Sequence, residues 1–370
     1  MRIATYNVEN LFDRAKIMNL ESWNDGKPLL NAFAALNALL GEANYTAAAK
    51  VKMVEHMQFL DLEKSDTGEF VILRRNRGAL LKRPKTGGIE IIASGRDDWV
   101  GSLELRDEPI NHIAIQNTAR VINAVDADVL AVVEAESRPA LMNFNDSVIP
   151  ATEGTAYRHV MVIDGNDERG IDVGLLTRAA YPIGLMRSHV DDRNSADQRI
   201  FSRDCPEYAI ETPQGNQITL LINHFKSKGF GPPAQSTARR LLQAKRVKAI
   251  YERLVAEGKT FIAIVGDLND TPASSTLQPL LVGTNLKDVS THPSFDDGGR
   301  PGTFGSSTAA NKIDYLLLSP SLWKVMRAGG INRIGVWPGI RPAKWDVLDT
   351  LTKPIEAASD HAAVWCDIDV

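Results

Sequence analysis

The most constraining feature of this sequence is a short polar motif that directly follows an apolar run. Residues 260–265 read TFIAIV, and residues 266–270 read GDLND. A run of β-branched and apolar residues that stops at glycine predicts a buried strand entering a turn. Along an extended backbone, Asp267 and Asn269 project to the same side. The pattern predicts a carboxylate and an amide together at one strand end, although both residue types are also ordinary turn formers.

Length and composition indicate a globular chain with ample material for a core. The 370 residues are 44% hydrophobic and 24% charged, with a net charge of -4, which excludes disordered and fibrous classes. No apolar stretch reaches the roughly 18 residues that a membrane span needs. Residues 3–8 predict a strand instead of a signal peptide, so a cytoplasmic location is expected. Cys205 and Cys366 fit no metal or disulfide spacing and are interpreted as buried thiols.

Strands outnumber helices in the pattern, and many neighbouring strands are too close in sequence for crossover helices. This favours mixed or antiparallel sheets. Apolar runs predict strands at 3–8, 128–133, 158–163, 171–177, 208–211, 217–223, 260–265, 313–318 and 362–368. Helices are predicted near 117–125, between 233 and 258, and at 274–281.

A long mixed stretch, from about 14 to 111, separates the first predicted strand from the next part of this pattern. Its first part, 28–60, predicts helices, and its second part predicts strands at 69–73, 89–92 and 101–105. Residues 74–85 carry six basic side chains and no acidic one. Such a run is either a solvated hairpin tip or an arm that contacts phosphate groups. The slightly acidic whole chain would need a local basic patch of this kind to bind a polyanion.

Polar residues recur at the ends of the predicted strands. They lie in six segments, in the order YNV, VVE, NHFKSK, GDLND, KIDY and SDH, beginning at residues 6, 132, 223, 266, 312 and 359. A single strand-end Asp or Asn is usually a cap. The whole series, however, resembles the motifs of the endonuclease/exonuclease/phosphatase superfamily, whose fold is similar to pancreatic-type deoxyribonuclease and to abasic-site endonucleases. The resemblance covers residues 1–12 and about 112–370.

The resemblance implies an α/β fold, a four-layer αββα sandwich of two mixed, largely antiparallel sheets with the site at one edge. It implies one catalytic domain over residues 1–370, carrying an insertion at about 14–111. It also implies phosphoester hydrolysis with Mg²⁺ or Mn²⁺, hard cations that take oxygen ligands. The family's metal-binding glutamate matches Glu134, with Asn7 beside it and Asp360 as a further contributor. One ion or two would be compatible with this set.

The remaining motif positions match the family's catalytic residues. Asp267 matches the residue that orients or deprotonates the attacking water, and Asn269 the amide that holds the phosphoryl oxygens. His361 matches the histidine that faces the phosphate, and Asp314 its carboxylate partner. His224 matches a histidine that assists the leaving oxygen as a general acid.

Several neighbours of these residues are candidates for substrate contact. Lys226 and Lys228 follow His224 within reach of a phosphate. Arg169 and Asp172 occupy a stretch that often lines this edge in the family, or form an ordinary ion pair. Glu136 lies two residues beyond Glu134 and would be a possible second carboxylate at the metal. Asn223 and Asp270 are interpreted as a strand residue and a turn cap.

Three functions are compatible with these features. A nuclease acting on DNA or RNA is favoured by the basic segment and by the lysines after His224. A phosphatase or phosphodiesterase for an inositol phosphate, lipid headgroup or nucleotide is favoured by the acidic net charge. A non-catalytic binding module would be expected to have lost a motif, and none is missing. Substrate choice is expected to depend on the 14–111 insertion, and no protein partner is indicated.

Overall fold

The computed structural model of the chain describes residues 1–20, 23–167, 169–228, 232–340 and 344–370. Two compact units divide these residues. The main unit contains residues 1–12, 110–228 and 234–370, and the inserted unit contains 13–109 with the described part of 229–233. No helix of the described ranges has the length and apolar character needed to cross a membrane.

The elements are numbered in chain order. The strands are β1 Arg2–Asn7, β2 Asp13–Ala15, β3 Val71–Gly78, β4 Leu81–Lys82, β5 Glu90–Ile91, β6 Trp99–Leu105, β7 Asp107–Pro109, β8 Val129–Ala135, β9 His159–Ile163, β10 Asp172–Thr177, β11 Ile183–Arg187, β12 Glu207–Glu211, β13 Gln217–His224, β14 Ile262–Asp267, β15 Lys287–Asp288, β16 Phe295–Asp296, β17 Asp314–Leu318, β18 Met326–Asn332 and β19 Ala363–Ile368. The α-helices are α1 Trp23–Leu40, α2 Ala47–Phe59, α3 His112–Val125, α4 Arg138–Asn143, α5 Ile149–Ala151, α6 Pro233–Ala256, α7 Gln278–Leu281 and α8 Pro320–Trp323.

Two mixed sheets form the centre of the main unit. The first has the strand order β16-β18-β19-β1-β8-β10-β9, and its pairs are antiparallel except β1–β8 and β16–β18. The second has the order β11-β12-β13-β14-β17-β15, and only β13–β14 is parallel. The expected mixed, largely antiparallel sheets are therefore confirmed.

The period-2 alternation of each strand explains the layers. In β8, Val129 and Val133 face the core between the sheets, whereas Leu130 and Val132 face the cluster that contains α3. In β14, Ala263 and Val265 join the same inter-sheet core, while the alternate isoleucines pack with α6. Strands buried on both faces read as continuous apolar runs, as these do. The result is helix, sheet, sheet, helix, which is the expected αββα sandwich.

The inserted unit has a core of its own. Its two chain ends pair as the antiparallel strands β2 and β7. Helices α1 and α2 share a hydrophobic cluster with β3, β4, β5 and β6, in which Trp99 is fully buried. The Trp99 Nε1 donates to the Tyr45 hydroxyl at 2.8 Å, and that hydroxyl donates to the Leu40 carbonyl at 2.8 Å. The indole and the phenol are both satisfied, so neither polar atom weakens this core.

The basic segment 74–85 is largely exposed, as expected of a solvated hairpin tip, but most of its basic side chains form ion pairs. Its first part belongs to β3 and lies along β6 over seven paired residues from Val71 to Gly78. Four of its six basic side chains form ion pairs with acidic residues of the inserted unit: Arg74 with Glu104, Arg75 and Arg83 with Asp66, and Lys82 with Glu90.

The sequence patterns missed some strands, of which β18 is central to the first sheet. Its sequence MRAGGIN has no apolar alternation. A Cβ at Gly329 would lie 2.8 Å from the Phe295 ring, and one at Gly330 would lie 3.3 Å from the Trp365 ring. The two glycines allow close packing. Because they have no side chains, the alternation of apolar and polar residues that indicates a strand is missing from β18.

Candidate functional site

Polar side chains from both sheets meet where β1, β8, β13 and β14 end and β17 begins. The buried side chain of Asn7 lies at the centre of this group. Its Nδ2 is 3.3 Å from the Glu134 Oε1, 3.4 Å from the Asp267 Oδ2 and 3.5 Å from the His361 Nε2. Its Oδ1 accepts from the Glu9 backbone N–H at 3.0 Å. Residues that are hundreds of positions apart in sequence thus share one cluster of hydrogen bonds.

Local backbone distortions aim these side chains. Glu134 has φ of 70°, in the left-handed region. At this point Asp172 pairs with Ala135 and Val173 pairs with Val133, so Glu134 is the extra residue of a bulge. A left-handed conformation costs free energy for a glutamate, and β-bulges with such residues are over-represented next to active sites. The bulge turns the Glu134 carboxylate out of the ladder and toward Asn7.

The turn after β14 has a similar requirement. Gly266 has φ of 124°, and a Cβ there would overlap the Asn223 carbonyl oxygen of the neighbouring strand β13. Only glycine permits this close approach. Asn269 follows with φ of 54°, a conformation that asparagine tolerates better than most residues. Together the two residues fold the motif so that Asn269 returns toward Asp267.

Asp267 is 2% exposed and is surrounded by potential partners. Its Oδ1 accepts from the Asn269 backbone N–H at 2.8 Å, and its Oδ2 accepts from the Asn269 Nδ2 at 3.0 Å. Burial raises the pKa of Asp267 to about 8, and the nearby Asp314 and Glu134 carboxylates add to this rise. Negative charge is therefore crowded at this position.

His361 lies on one side of Asp267, with its Nε2 3.9 Å from the Asp267 Oδ2. Its Nδ1 is 2.9 Å from the Asp314 Oδ2, which also accepts from the Thr303 hydroxyl at 2.6 Å. Burial alone would lower the pKa of His361, but the charge and hydrogen bond of Asp314, with further help from Asp360 and Asp267, raise that pKa well above its usual value. His361 is accordingly an imidazolium that is held in one orientation.

His224 lies on the other side of Asp267, with its Nε2 3.7 Å from the Asp267 Oδ2 and 3.6 Å from the Glu134 Oε1. Burial, followed by the charges of Arg203 and Arg169, lowers the pKa of His224 well below its usual value. The two histidines that flank Asp267 thus have opposite protonation tendencies. In the free protein His224 is neutral, which differs from the protonated state that a general acid needs.

Two further acidic residues from the motif analysis have defined contacts. The Asp360 side chain is 45% exposed, and its Oδ1 is 3.7 Å from the His361 Nε2. The Asp360 backbone N–H donates to the Glu9 carboxylate at 3.0 Å. The Glu136 Oε1 accepts from the backbone N–H groups of Leu11 and Phe12 at 2.8 and 2.7 Å. These bonds tie Glu136 to the chain that leaves β1.

Two of the candidate substrate-contacting residues, Arg169 and Lys228, form ion pairs with carboxylates, and the third, Lys226, has a lowered pKa. Arg169 forms a two-point ion pair with Asp167, at 3.0 Å from Nε to Oδ1 and 3.0 Å from Nη2 to Oδ2. Lys226 is partly buried, and burial with the nearby charges of Arg169 and Arg203 lowers its pKa to about 8. Lys228 instead lies 2.6 Å from the Asp270 Oδ1. Glu168, in the same sequence stretch as Arg169, lies outside the described residues.

Asp172 and Asp270 have structural contacts. The Asp172 Oδ1 accepts from the Gly165 N–H at 2.8 Å, and burial raises the Asp172 pKa to about 7. Asp270 accepts from the Thr276 hydroxyl and forms ion pairs with Arg240 and Lys228. The interpretation of Asp270 as the cap of its own turn agrees with these contacts.

The residues present fit a hard divalent cation. Asp267, Asp314 and His361 offer ligand atoms within 4.8 Å of one another, but Asp314 and His361 are already bonded to each other. Glu134 and Asp267 are the carboxylates that remain around Asn7. Burial and, after it, the Asp314 and Glu134 carboxylates raise the pKa of Asp267, and a cation bound nearby would favour its ionised form. As oriented here, Asn7 presents its NH₂ group to both carboxylates and therefore positions them.

A family model supplies the deciding comparison. The model described as "Endonuclease/Exonuclease/phosphatase family" matches residues 84–296, more than half of the chain. The chain belongs to this family. The resemblance seen in the six motifs is thereby confirmed, and the two mixed sheets are those of the endonuclease/exonuclease/phosphatase fold. Members of this superfamily are hydrolytic phosphoesterases and generally depend on divalent metals.

Solved structures of the same family show a similar fold at low identity. The mannosyl-6-phosphatase Bt3783 of Bacteroides thetaiotaomicron superposes with a TM-score of 0.51 at 16% identity, over 70% of this chain and 92% of its own. An endonuclease/exonuclease/phosphatase family protein of the same organism gives 0.50 at 16% identity, over 68% and 86%. The human Nocturnin catalytic domain with bound sulfate gives 0.48 at 14%, over 71% and 88%. No match was found among curated proteins.

The motif analysis located most, but not all, of this cluster. The structure brings together Asn7, Glu134, His224, Asp267, Asn269, Asp314 and His361. Thr303, Ser359 and Arg203 were not singled out as site residues. Ser359 donates to the Asn7 carbonyl at 2.8 Å and accepts from the His361 N–H at 3.0 Å. Its place directly before Asp360 was a usable signal, whereas Thr303 and Arg203 lie in loops without any apolar pattern.

Proposed function

We propose that this protein is a divalent-metal-dependent phosphodiesterase that acts as a nuclease on DNA or RNA. The observation that carries the proposal is the placement of Asp267 between two buried histidines whose pKa values are shifted in opposite directions. Pairs of titratable groups whose environments separate their pKa values are typical of acid–base sites. The family supplies the phosphoesterase fold, and this cluster is the proposed place of the reaction.

In the proposed reaction, Asp267 orients the attacking water and accepts its proton. Two N–H groups of Asn269 hold the carboxylate, one from its backbone and one from its side-chain amide. Asn269 is also the amide proposed to contact the phosphoryl oxygens, and for this it would exchange one of its two side-chain bonds, to Asp267 or to the Phe225 carbonyl, for the phosphate. The ionised form of Asp267 requires nearby positive charge, because burial raises its pKa to about 8. Mg²⁺ or Mn²⁺, bound by Glu134 and Asp360, would supply that charge and neutralise the phosphate oxygens. Asn7, expected from the motifs to be a further ligand, would have to turn its Oδ1 away from the Glu9 N–H to join them.

The histidines take different roles in this proposal. His361 faces the phosphate as a cation, and Asp314 with Thr303 fixes its ring. His224 is neutral in the free protein because burial and two guanidinium groups lower its pKa. A phosphate anion bound beside it would favour the imidazolium and raise that pKa. His224 would then be able to donate a proton to the leaving oxygen. Substrate binding would therefore itself bring about the protonation of His224 that a general acid needs.

A second candidate is a hydrolase of small phosphoesters, such as an inositol phosphate, a lipid headgroup or a nucleotide. The pairing of four of the six basic side chains in residues 74–85 with acidic partners favours it. That pairing removes part of the charge that would attract a polynucleotide. The Bacteroides thetaiotaomicron protein Bt3783 is a mannosyl-6-phosphatase by name, which agrees with this candidate at the level of the fold.

One set of assays separates the candidates. The full chain is incubated with single- and double-stranded DNA, RNA, an inositol phosphate and a nucleotide, each with Mg²⁺, Mn²⁺ or a chelator, beside Asp267→Asn. We expect metal-dependent cleavage of a polynucleotide that Asp267→Asn loses. Turnover of only the small phosphoesters would replace the nuclease proposal with the second candidate. Absence of all turnover, together with no Mn²⁺ binding by titration calorimetry, would point to a non-catalytic binding module.

A further inference from the structure

A group of cationic side chains lies beside the catalytic cluster. In the proposed reaction its two guanidinium groups help to lower the pKa of His224, but none of the group has been given a contact with the substrate there. Arg203 and Arg169 share one carboxylate, Asp167. The Arg203 Nε is 2.8 Å from the Asp167 Oδ2, and the Arg169 Nη2 is 3.0 Å from the same oxygen. Two guanidinium groups therefore share one oxygen of the Asp167 carboxylate.

Arg203 is an unusual residue to find buried. It is 1% exposed and is among the largest fully buried side chains of the chain. Its Nη1 donates to the Phe225 carbonyl at 3.4 Å. Within the described ranges, its Nη2 meets no hydrogen-bond acceptor. A buried guanidinium N–H without a partner is costly, and such a group in a folded protein needs an explanation.

This group is directly connected to the proposed phosphate-binding turn. The Phe225 carbonyl that accepts from Arg203 also accepts from the Asn269 Nδ2 at 3.1 Å. Lys226 is the next residue, and it is partly buried. After burial, the charges of Arg169 and Arg203 are the main causes that lower the Lys226 pKa to about 8. The three cations therefore repel one another, which a bound anion would relieve.

We propose that Arg203, Arg169 and Lys226 form a second anion subsite, which binds a second phosphate of the substrate next to the phosphate held at Asp267 and Asn269. The inference rests on the proposed phosphodiesterase function and narrows its substrate class. Phosphate offers several acceptor oxygens, and planar guanidinium groups bind it with paired N–H donors. Lys226 and Arg169 form the accessible side of the subsite, and Arg203 is its buried member.

The alternative is that Arg203 only fastens the loop of Asp167 to the end of β13. A fastening role predicts that all substrates lose activity equally when Arg203 changes. A phosphate subsite predicts a loss confined to substrates that carry the second phosphate. Relative rates on matched substrates are therefore the informative quantity, because a general change of the fold cancels in the ratio.

The test uses three dinucleotides that differ only in having no terminal phosphate, a 5′-phosphate or a 3′-phosphate. For the full chain with Mg²⁺ or Mn²⁺, we expect kcat/KM for one phosphorylated form to exceed the unphosphorylated form by about tenfold, mostly through KM, in line with one charge-assisted phosphate contact. Lys226→Met and Arg203→Lys should each reduce this ratio to about twofold. The exposed Lys245 of α6 provides a matched Lys→Met control that should leave the ratio unchanged.

A pH series adds a readout that a fastening role would not change. Lys226 is charged below its pKa of about 8 in the free protein. The preference for the phosphorylated dinucleotide should therefore fall as the pH rises through that value, and Lys226→Met should abolish this fall.

The outcomes separate the two proposals. Equal kcat/KM for all three dinucleotides overturns the subsite and leaves the nuclease function intact. A preference that Lys226→Met and Arg203→Lys both leave unchanged also overturns it. If no dinucleotide or polynucleotide is cleaved, the proposed function is wrong and the subsite falls with it. Folding of each variant is checked by thermal unfolding, and Lys226→Met supplies the answer if Arg203→Lys does not fold.

Discussion

The main unit and the inserted unit both contain groups of charged side chains, but the two groups differ in burial. In the inserted unit, the side chains of Arg74 and Arg75 are 56% and 43% exposed. Arg74 pairs with Glu104, and Arg75 shares Asp66 with Arg83. In the main unit, Arg203 is 1% exposed and shares its carboxylate with Arg169. Exposed ion pairs contribute little, whereas buried charges without full compensation shift pKa values and bind counterions. If the proposed subsite binds phosphate, the number of basic residues in a segment is a poor guide to where phosphate binds in this chain.

Substitution of the most buried acid should have the largest effect on activity. Asp267→Asn keeps the shape and most hydrogen bonds but removes the proton acceptor, so we expect kcat/KM for the cleaved substrate to fall by about 10³-fold. Thermal unfolding is the control, and near neutral pH the variant should be at least as stable because a buried carboxylate with a raised pKa is removed. Activity within tenfold of the original would show that Asp267 is not the base.

The buried cation comes next. His361→Gln retains a donor but loses the charge that Asp314 maintains, and we expect kcat/KM to fall by about 10²-fold. Because its pKa is raised well above the usual value, the original histidine keeps its charge at neutral pH. The loss of kcat/KM in His361→Gln should therefore be at least as large at neutral pH as at higher pH, where the original histidine loses its proton. A variant whose loss is under threefold at every pH, measured by initial rates, would remove His361 from the phosphate-binding group.

Thr303 tests whether orientation matters as much as charge. Thr303→Val removes the hydroxyl that donates to the Asp314 Oδ2 and accepts from the backbone N–H groups of Ile313 and Asp314. We expect kcat/KM to fall by about tenfold, consistent with the loss of one hydrogen bond to a charged group. Thr303→Ser, which keeps the hydroxyl, is the matched control and should stay within about threefold of the original. Equal losses in both variants would indicate a packing effect and no orienting bond.

These residues also show how much of the molecule could be predicted from the sequence. Most strands of the two sheets could be predicted from apolar runs, because burial on both faces leaves little choice of residue. The glycine-containing strand β18 could not. Asp267 and His361 follow or precede such runs within short motifs, so their place could be predicted. Arg203 and Thr303 act through contacts with residues distant in sequence, Asp167 at 2.8 Å and Asp314 at 2.6 Å. A local sequence pattern cannot predict a contact that forms only when the chain folds.

The same limit applies to the basic segment of the inserted unit. Its six charges are visible in the sequence, but their partners are not: Asp66 precedes the segment, and Glu90 and Glu104 follow it. The two buried histidines differ in this respect. The motif resemblance gave Asp314 as the partner of His361, and the structure places the two in contact. The guanidinium groups of Arg203 and Arg169, which help to lower the pKa of His224, were beyond the sequence.

Asp172 provides a stability prediction for the main unit. Burial raises its pKa to about 7, so the native state binds this proton more tightly than the unfolded chain does. The contribution of Asp172 to stability is full below the usual aspartate pKa and is lost as the pH rises through about 7. One pKa unit corresponds to about 1.4 kcal/mol. Between about pH 5 and pH 8, the free energy of unfolding should therefore decrease by on the order of 2 kcal/mol more in the original protein than in Asp172→Asn.

Denaturant unfolding at the two pH values measures this difference directly. The amide introduced by Asp172→Asn can still accept from the Gly165 N–H, so the substitution mainly removes the ionisation. Activity should change by less than about twofold, because Asp172 contacts none of the proposed reacting groups. Parallel pH profiles for the two proteins would contradict the raised pKa and place Asp172 among ordinary surface carboxylates.

The smallest effect is expected where the sequence suggested the largest. Arg75→Gln combined with Lys82→Gln removes two charges of the inserted unit whose partners, Asp66 and Glu90, already offset them. If the buried cations of the main unit dominate phosphate binding, kcat/KM on a polynucleotide should fall by less than about twofold, as expected for exposed ion pairs. The slope of binding affinity against salt concentration should also stay the same, because the substitution removes no phosphate contact and binding releases the same number of counterions. A shallower salt slope with a tenfold loss would show that the inserted unit contacts phosphates despite its internal pairing. Burial would then no longer explain which basic residues bind phosphate. The deciding property would be whether a basic side chain can exchange its acidic partner for the substrate.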